Sequence, residues 1–145
     1  MNAAHAVATA ATFVWLGMVL AISFLEAPLK FRAPGVTLPV GLGIGRLVFR
    51  ALNTCEIVLG AAATLAAFGA AAPWPPRSAL LVAVAVLIGQ MAVVRPALTR
   101  RSDRVLAGED GPRSRAHYAY VVLEVVKVVA LLAAGGLLLA APGLA

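Results

Sequence analysis

The chain has 145 residues, of which 62% are apolar and 12% charged, with a formal net charge of +6 and a mean hydropathy of +0.96. A water-soluble domain is roughly half apolar and about a quarter charged, so this composition excludes an ordinary soluble fold. The basic excess does not indicate nucleic acid, because Lys and Arg cluster at the ends of apolar blocks without the interleaved aromatic residues of a base-stacking surface.

Four apolar segments follow one another at about residues 6–25, 47–70, 78–94 and 117–140. A helix needs about 20 residues to cross the hydrocarbon of a bilayer. The expected architecture is therefore all-α: a four-transmembrane-helix bundle, one membrane-embedded domain over residues 1–145, with the lipid bilayer as its solvent. The first segment lacks a basic leader, and its apolar stretch is too long for a signal peptide. It is expected to be the first span and to be retained.

The connections differ in character. The first, about 26–46, contains Pro28, Pro34 and Pro39 and then Gly41, Gly43 and Gly45. Proline interrupts helices and glycine permits turns or close approach. With Val36, Leu38, Val40 and Leu42 interspersed, this loop is expected to lie on or dip into the membrane. The second is the short PWPPR run around Trp74, a candidate interfacial anchor. The third, about 95–116, is the most polar part of the chain.

Lys and Arg counting sets the expected orientation. Lys30, Arg32, Arg46 and Arg50 belong to the first connection and its flanks. Arg95, Arg100, Arg101, Arg104, Arg113 and Arg115 belong to the third, against Arg77 alone in the second. Loops one and three should be cytoplasmic and both termini outside, in the plasma membrane (the inner membrane of a bacterium).

Sliding the chain so that Pro28 meets Pro96 also brings Arg32 onto Arg100, Gly43 onto Gly111, Ala51 onto Ala119 and Glu56 onto Glu124. Two readings stay open. Either the protein is a tandem duplication of a helical hairpin, with Glu56 and Glu124 as symmetry mates, or the matches are chance in a chain of narrow composition.

The polar residues inside the apolar segments carry the functional reading. In the fourth segment His117, Tyr120, Glu124 and Lys127 are spaced three, four and three apart and share one helix face. A charge near mid-bilayer costs about 3 kcal/mol on insertion scales, so that face must look inward. Arg46, Asn53, Glu56 and Gly60 lie within one broad face of the second segment. Ser23, Glu26 and Lys30 do so at the end of the first, and the third offers only Gln90 and then Arg95. In the expected topology Glu26, Glu56, Glu124, Lys127, His117 and Arg46 converge in the cytoplasmic half. These charges either pair to hold the bundle together or form a ligand- or ion-binding site.

Other motifs are weaker. GLGIGR lacks the last glycine of a dinucleotide fingerprint. His5 and His117 are possible haem ligands in type, but the topology separates them. No His-x-x-x-His pair suggests a metal, the lone Cys55 permits no intrachain disulfide, and no cofactor is expected. Gly17, Gly60 and Gly89 are expected to serve close helix packing.

The stretches WLGMVLAISFLEAPLKFRAPGVTLPVGLGIGRLVF, ALNTCE and HYAYVVLEVVKVVALL resemble a group of small bacterial four-helix integral membrane proteins of unknown function. The opening Trp-Leu-Gly, a following Phe and the Ala-Pro ending the first helix are distantly similar to a domain of unknown function shared with a eukaryotic four-helix transmembrane protein. The resemblance implies a four-helix fold and points to Glu26, Lys30, Gly45, Arg46, Asn53, Glu56, His117, Tyr120, Glu124 and Lys127, without implying a substrate.

The expected function is transport of a small solute or ion in a homo-oligomer, with Glu56 and Glu124 either binding a cation or taking up a proton and Lys127 tuning their affinity. The alternatives are an accessory subunit of a larger membrane complex and, third, a haem- or quinone-linked enzyme using His117, Tyr120 and Glu124. No soluble domain, and no catalytic triad, is visible.

Overall fold

A computed structural model of the chain describes residues 2–108 and 115–141. Gly111 and Arg113, and the 109–114 part of the expected third connection, lie outside the described residues. Four helices are long and apolar enough to cross a membrane: α1 (Ala3–Arg32), α2 (Leu38–Gly69), α3 (Trp74–Leu106) and α4 (Arg115–Ala140). Each packs along its chain neighbour, and α1 also packs along α4, which closes the bundle. Among the described residues there is no strand.

The helices run further than the apolar pattern indicates. The expected breaks at 26–46 and 95–116 are largely helical, and the proline chemistry explains why. Pro39 sits in the first turn of α2, where a missing N–H costs nothing because that donor has no intrahelical partner. Thr37 caps the same turn by accepting from the Val40 N–H. Only Ala33–Thr37 separates α1 from α2, so most of the connection expected to lie on or dip into the membrane belongs to the helix ends.

Pro28 and Pro96 are accommodated differently. Each follows a widened π turn, Leu20–Glu26 in α1 and Gln90–Val94 in α3. The Ala27 N–H donates to Ile22 O and the Arg95 N–H to Gln90 O, both one residue longer than the α-helical bond. Widening the turn makes room for a proline ring that would otherwise press on the preceding carbonyls. The two π turns fall at places that the Pro28-to-Pro96 offset brings into register, which gives the duplicated-hairpin reading a backbone counterpart.

At 1.5 Å per residue, a 32-residue helix such as α2 is about 48 Å long, well beyond the roughly 30 Å of hydrocarbon. One end of the bundle is closed by an apolar core that includes Ala8, Trp15, Ala63, Leu80, Leu131 and Leu138. There His5, almost fully buried, meets Leu138 O through Nε2 at 2.8 Å. A carbonyl only accepts, so Nε2 carries the proton and satisfies one of the last carbonyls of α4. This side chain ties α1 to α4. The polar residues collect from the middle of the bundle towards the other end.

Candidate functional site

The centre of the site is one ammonium group. Lys127 Nζ on α4 lies 2.5 Å from Glu56 Oε1 on α2, 2.6 Å from Glu124 Oε1 one turn back on α4, and 2.8 Å from Gln90 Oε1 on α3. Three donors meet three acceptors, the full capacity of a lysine. Lys127 and Glu56 are wholly buried and Glu124 nearly so.

The two carboxylates are treated unequally. Glu124 is saturated: Ser23 Oγ and Tyr120 Oη each donate to Oε2 at 2.7 Å, and Gln90 Nε2 approaches Oε1 at 3.4 Å. Glu56 Oε1 accepts from the Trp15 indole N–H at 3.0 Å as well as from Lys127. Glu56 Oε2 has no partner among the described residues. Trp15 reaches this position because Gly60, one turn from Glu56, leaves room for its ring. A Cβ on Gly60 would sit 3.2 Å from the indole.

Both π turns contribute. Ser23 lies in the turn before Pro28, and Gln90 opens the turn before Pro96. Irregular turns of this kind recur at functional sites because they re-aim side chains that a regular helix would point elsewhere.

Above the network lies a partly open cavity of about 480 Å³. Tyr120 and Glu124 belong to both. Among the described residues its charged lining is cationic apart from Glu124: Lys30, Arg46, Arg95 and Arg101, with His117 also in the lining. Its walls include Phe24, Phe31, Leu42, Phe49 and Leu98. Arg95 donates to Tyr120 Oη at 3.3 Å and lies 4.8 Å from the Phe49 centroid and 5.0 Å from that of Tyr120. Lys30 Nζ lies 5.4 Å from the Phe31 centroid and 5.7 Å from that of Phe49. These are cation–π distances. Phe49 and Tyr120 meet edge to face.

Of the residues singled out from sequence, Glu56, Glu124, Lys127 and Tyr120 form the network, while Arg46 and His117 line the cavity. Arg46 pairs with Asp103. Glu26 stands behind the lining, 3.9 Å from Lys30. Asn53 is half-buried and joins neither the network nor the lining, because α2 turns Glu56 rather than Asn53 towards Lys127. Gly60 serves close packing, but among the described residues a Cβ at Gly17 or Gly89 would meet nothing within 4 Å, so neither marks a close approach between helices of this bundle. The sequence pattern did not single out Trp15 or Asp103, and marked Arg95 only as a polar end of the third segment and a topology signal. An indole N–H in the middle of an apolar helix needs a buried acceptor, and that signal points to Trp15.

Among the described residues no group of three His, Cys, Asp or Glu side chains is placed to hold a metal ion. Comparison with protein-family models, with curated proteins and with solved structures finds no match.

Proposed function

We propose that this protein is a small-solute transporter of the plasma membrane, with the cavity as its solute site and the buried network as a proton-linked element. The observation that carries the reading is the sharing of Tyr120 and Glu124 between cavity lining and network. A solute in the cavity touches the same side chains that fix Lys127 between two carboxylates.

One ammonium between two carboxylates leaves one negative charge in excess. Uncompensated charge in an apolar interior is costly, so a proton on one of the carboxylates balances the dry state. Solute contact at Tyr120 or Glu124 changes the terms on which that proton is held, which is the linkage a coupled carrier uses. The two π turns are irregular helix positions at which such structures kink, and both carry network residues. The other end of the bundle is filled with side chains, so passage requires a rearrangement there or a second copy. A homo-oligomer fits this reading. The Lys and Arg distribution favours a cavity open to the cytoplasm, with both termini outside.

The test is uptake into proteoliposomes from a panel of small carboxylates, amines and sugars, with a pH-sensitive dye in the lumen. Glu124→Gln is expected to abolish solute-dependent proton movement while the protein stays folded by circular dichroism. Full activity in folded Glu124→Gln would overturn the reading.

The complete satisfaction of Lys127 supports a second reading, in which the network only clamps the helices of an accessory subunit in a larger membrane complex. Such a subunit would co-purify with its partner and show no uptake alone.

A further inference from the structure

We propose that the cavity binds a small organic anion with an apolar body. Its anionic group would lie between Arg95 and Lys30 and its body against Phe49 and Phe31. The proposal rests on the transport reading for its choice of the cavity as the solute site, and it names the chemical class of that solute.

Among the described residues the one carboxylate in the lining is Glu124, and both of its oxygens are already engaged by Lys127, Gln90, Ser23 and Tyr120. It has little capacity left to neutralise the cations facing it. Arg95 meets no carboxylate among the described residues; its partners are a neutral hydroxyl and two ring faces. Lys30 has a side chain 10% exposed, and its nearest carboxylate among the described residues, Glu26, is 3.9 Å away. That is well beyond the 2.7–2.9 Å of a charge-assisted hydrogen bond. Two cations thus share the Phe49 ring, an arrangement of like charges that an anion between them would complete.

The place for these groups is built into the backbone. A Cβ at Gly45 would lie 2.9 Å from Lys30 Nζ, and one at Gly41 would overlap the Phe31 ring. The two glycines, one turn apart on α2, let Lys30 and Phe31 fold across the helix and into the lining. A guanidinium and an ammonium select a carboxylate or phosphate group, and the phenyl and leucine walls select a solute with an apolar remainder. A cavity of about 480 Å³ falls within the range of small-molecule sites. A fully hydrated inorganic anion would leave those walls unused.

The test uses the full chain in phosphatidylcholine nanodiscs, with calorimetric titration of benzoate and of its cationic counterpart benzylamine. Benzoate is expected to bind and benzylamine not. Arg95→Gln and Lys30→Gln are each expected to raise the benzoate Kd about tenfold or more, the scale of one lost charged hydrogen bond. Equal binding of the two probes would overturn the proposal, as would an unchanged benzoate Kd in folded Arg95→Gln. If the variants fail to fold, the comparison of probes on the native chain decides alone.

Adding phosphatidylglycerol separates two sources of the anion. A benzoate Kd that climbs in proportion to that lipid assigns the site to an anionic headgroup. A constant Kd assigns it to a free solute. Either upholds anion recognition. Benzoate binding with no uptake in proteoliposomes would overturn the transport reading and leave the anion site standing. Uptake of a neutral or cationic solute without benzoate binding would do the reverse.

Discussion

Glu56 and Glu124 lie on two sides of a single ammonium group, 2.5 Å and 2.6 Å from Lys127 Nζ, yet only Glu124 has every oxygen engaged. The pair comes from two helices, α2 and α4, which the internal offset of the sequence aligns. Most of the behaviour expected of this protein follows from that inequality.

Removal of Lys127 should be far worse than removal of the whole network. Lys127→Met leaves two buried carboxylates without a cation, and breaking a buried pair this way costs about 3–5 kcal/mol. Thermal unfolding in detergent should show a large drop in Tm for the single variant. The triple variant Glu56→Gln, Glu124→Gln, Lys127→Met should recover much of it. A triple variant less stable than Lys127→Met would contradict this account.

The two glutamates should differ as single variants. Glu56→Gln loses a charge from a group with one oxygen that has no partner among the described residues. Glu124→Gln disturbs hydrogen bonds from Ser23, Tyr120 and Lys127 together. The Glu124 change should be the more destabilising by about 1 kcal/mol or more, a single hydrogen bond to a charged group being worth about 1.5–3 kcal/mol. Chemical denaturation of both variants in the same detergent checks the order.

The indole of Trp15 should report on Gly60. A leucine side chain at position 60 would collide with the ring, whose nearest atom lies 3.2 Å from the Cβ position. Overpacking of this kind costs about 1–3 kcal/mol, and it should move the indole off Glu56. Gly60→Leu in a Trp74→Phe background, where Trp15 is the single tryptophan, should shift the emission maximum and lower Tm. Unchanged emission would show that the ring does not rest on this glycine.

The Arg46–Asp103 pair should contribute little to stability. Its side chains are 36% and 59% exposed, and exposed pairs are worth about 0–1 kcal/mol. Asp103→Asn should leave Tm nearly unchanged at moderate salt. A loss of several degrees would mean that this pair, rather than the buried network, holds α2 to α3.

The number and class of the helices were legible because the bilayer imposes a single-chain criterion: about 20 apolar residues in a row. The inward face of α4 was legible for a related reason, since hydrocarbon cannot solvate His117, Glu124 or Lys127 and helical periodicity puts them together. The helix ends were not. Pro28, Pro39 and Pro96 have the same composition signal but different outcomes: one sits in a first turn and two follow widened turns. The outcome depends on the register of the backbone hydrogen bonds rather than on the proline itself.

What the sequence by itself determined is therefore a four-helix membrane architecture with an obligatory polar interior, because both follow from the cost of exposing a backbone or a charge to lipid. What only the tertiary structure decided is the allotment of partners: that Lys127 divides itself between Glu56, Glu124 and Gln90, that Trp15 rather than Asn53 completes Glu56, and that the cavity above them is cationic. Those contacts join side chains from all four helices. Their distances are set by how the helices pack and by where Gly41, Gly45 and Gly60 let a neighbour come close, quantities that no spacing along one helix contains.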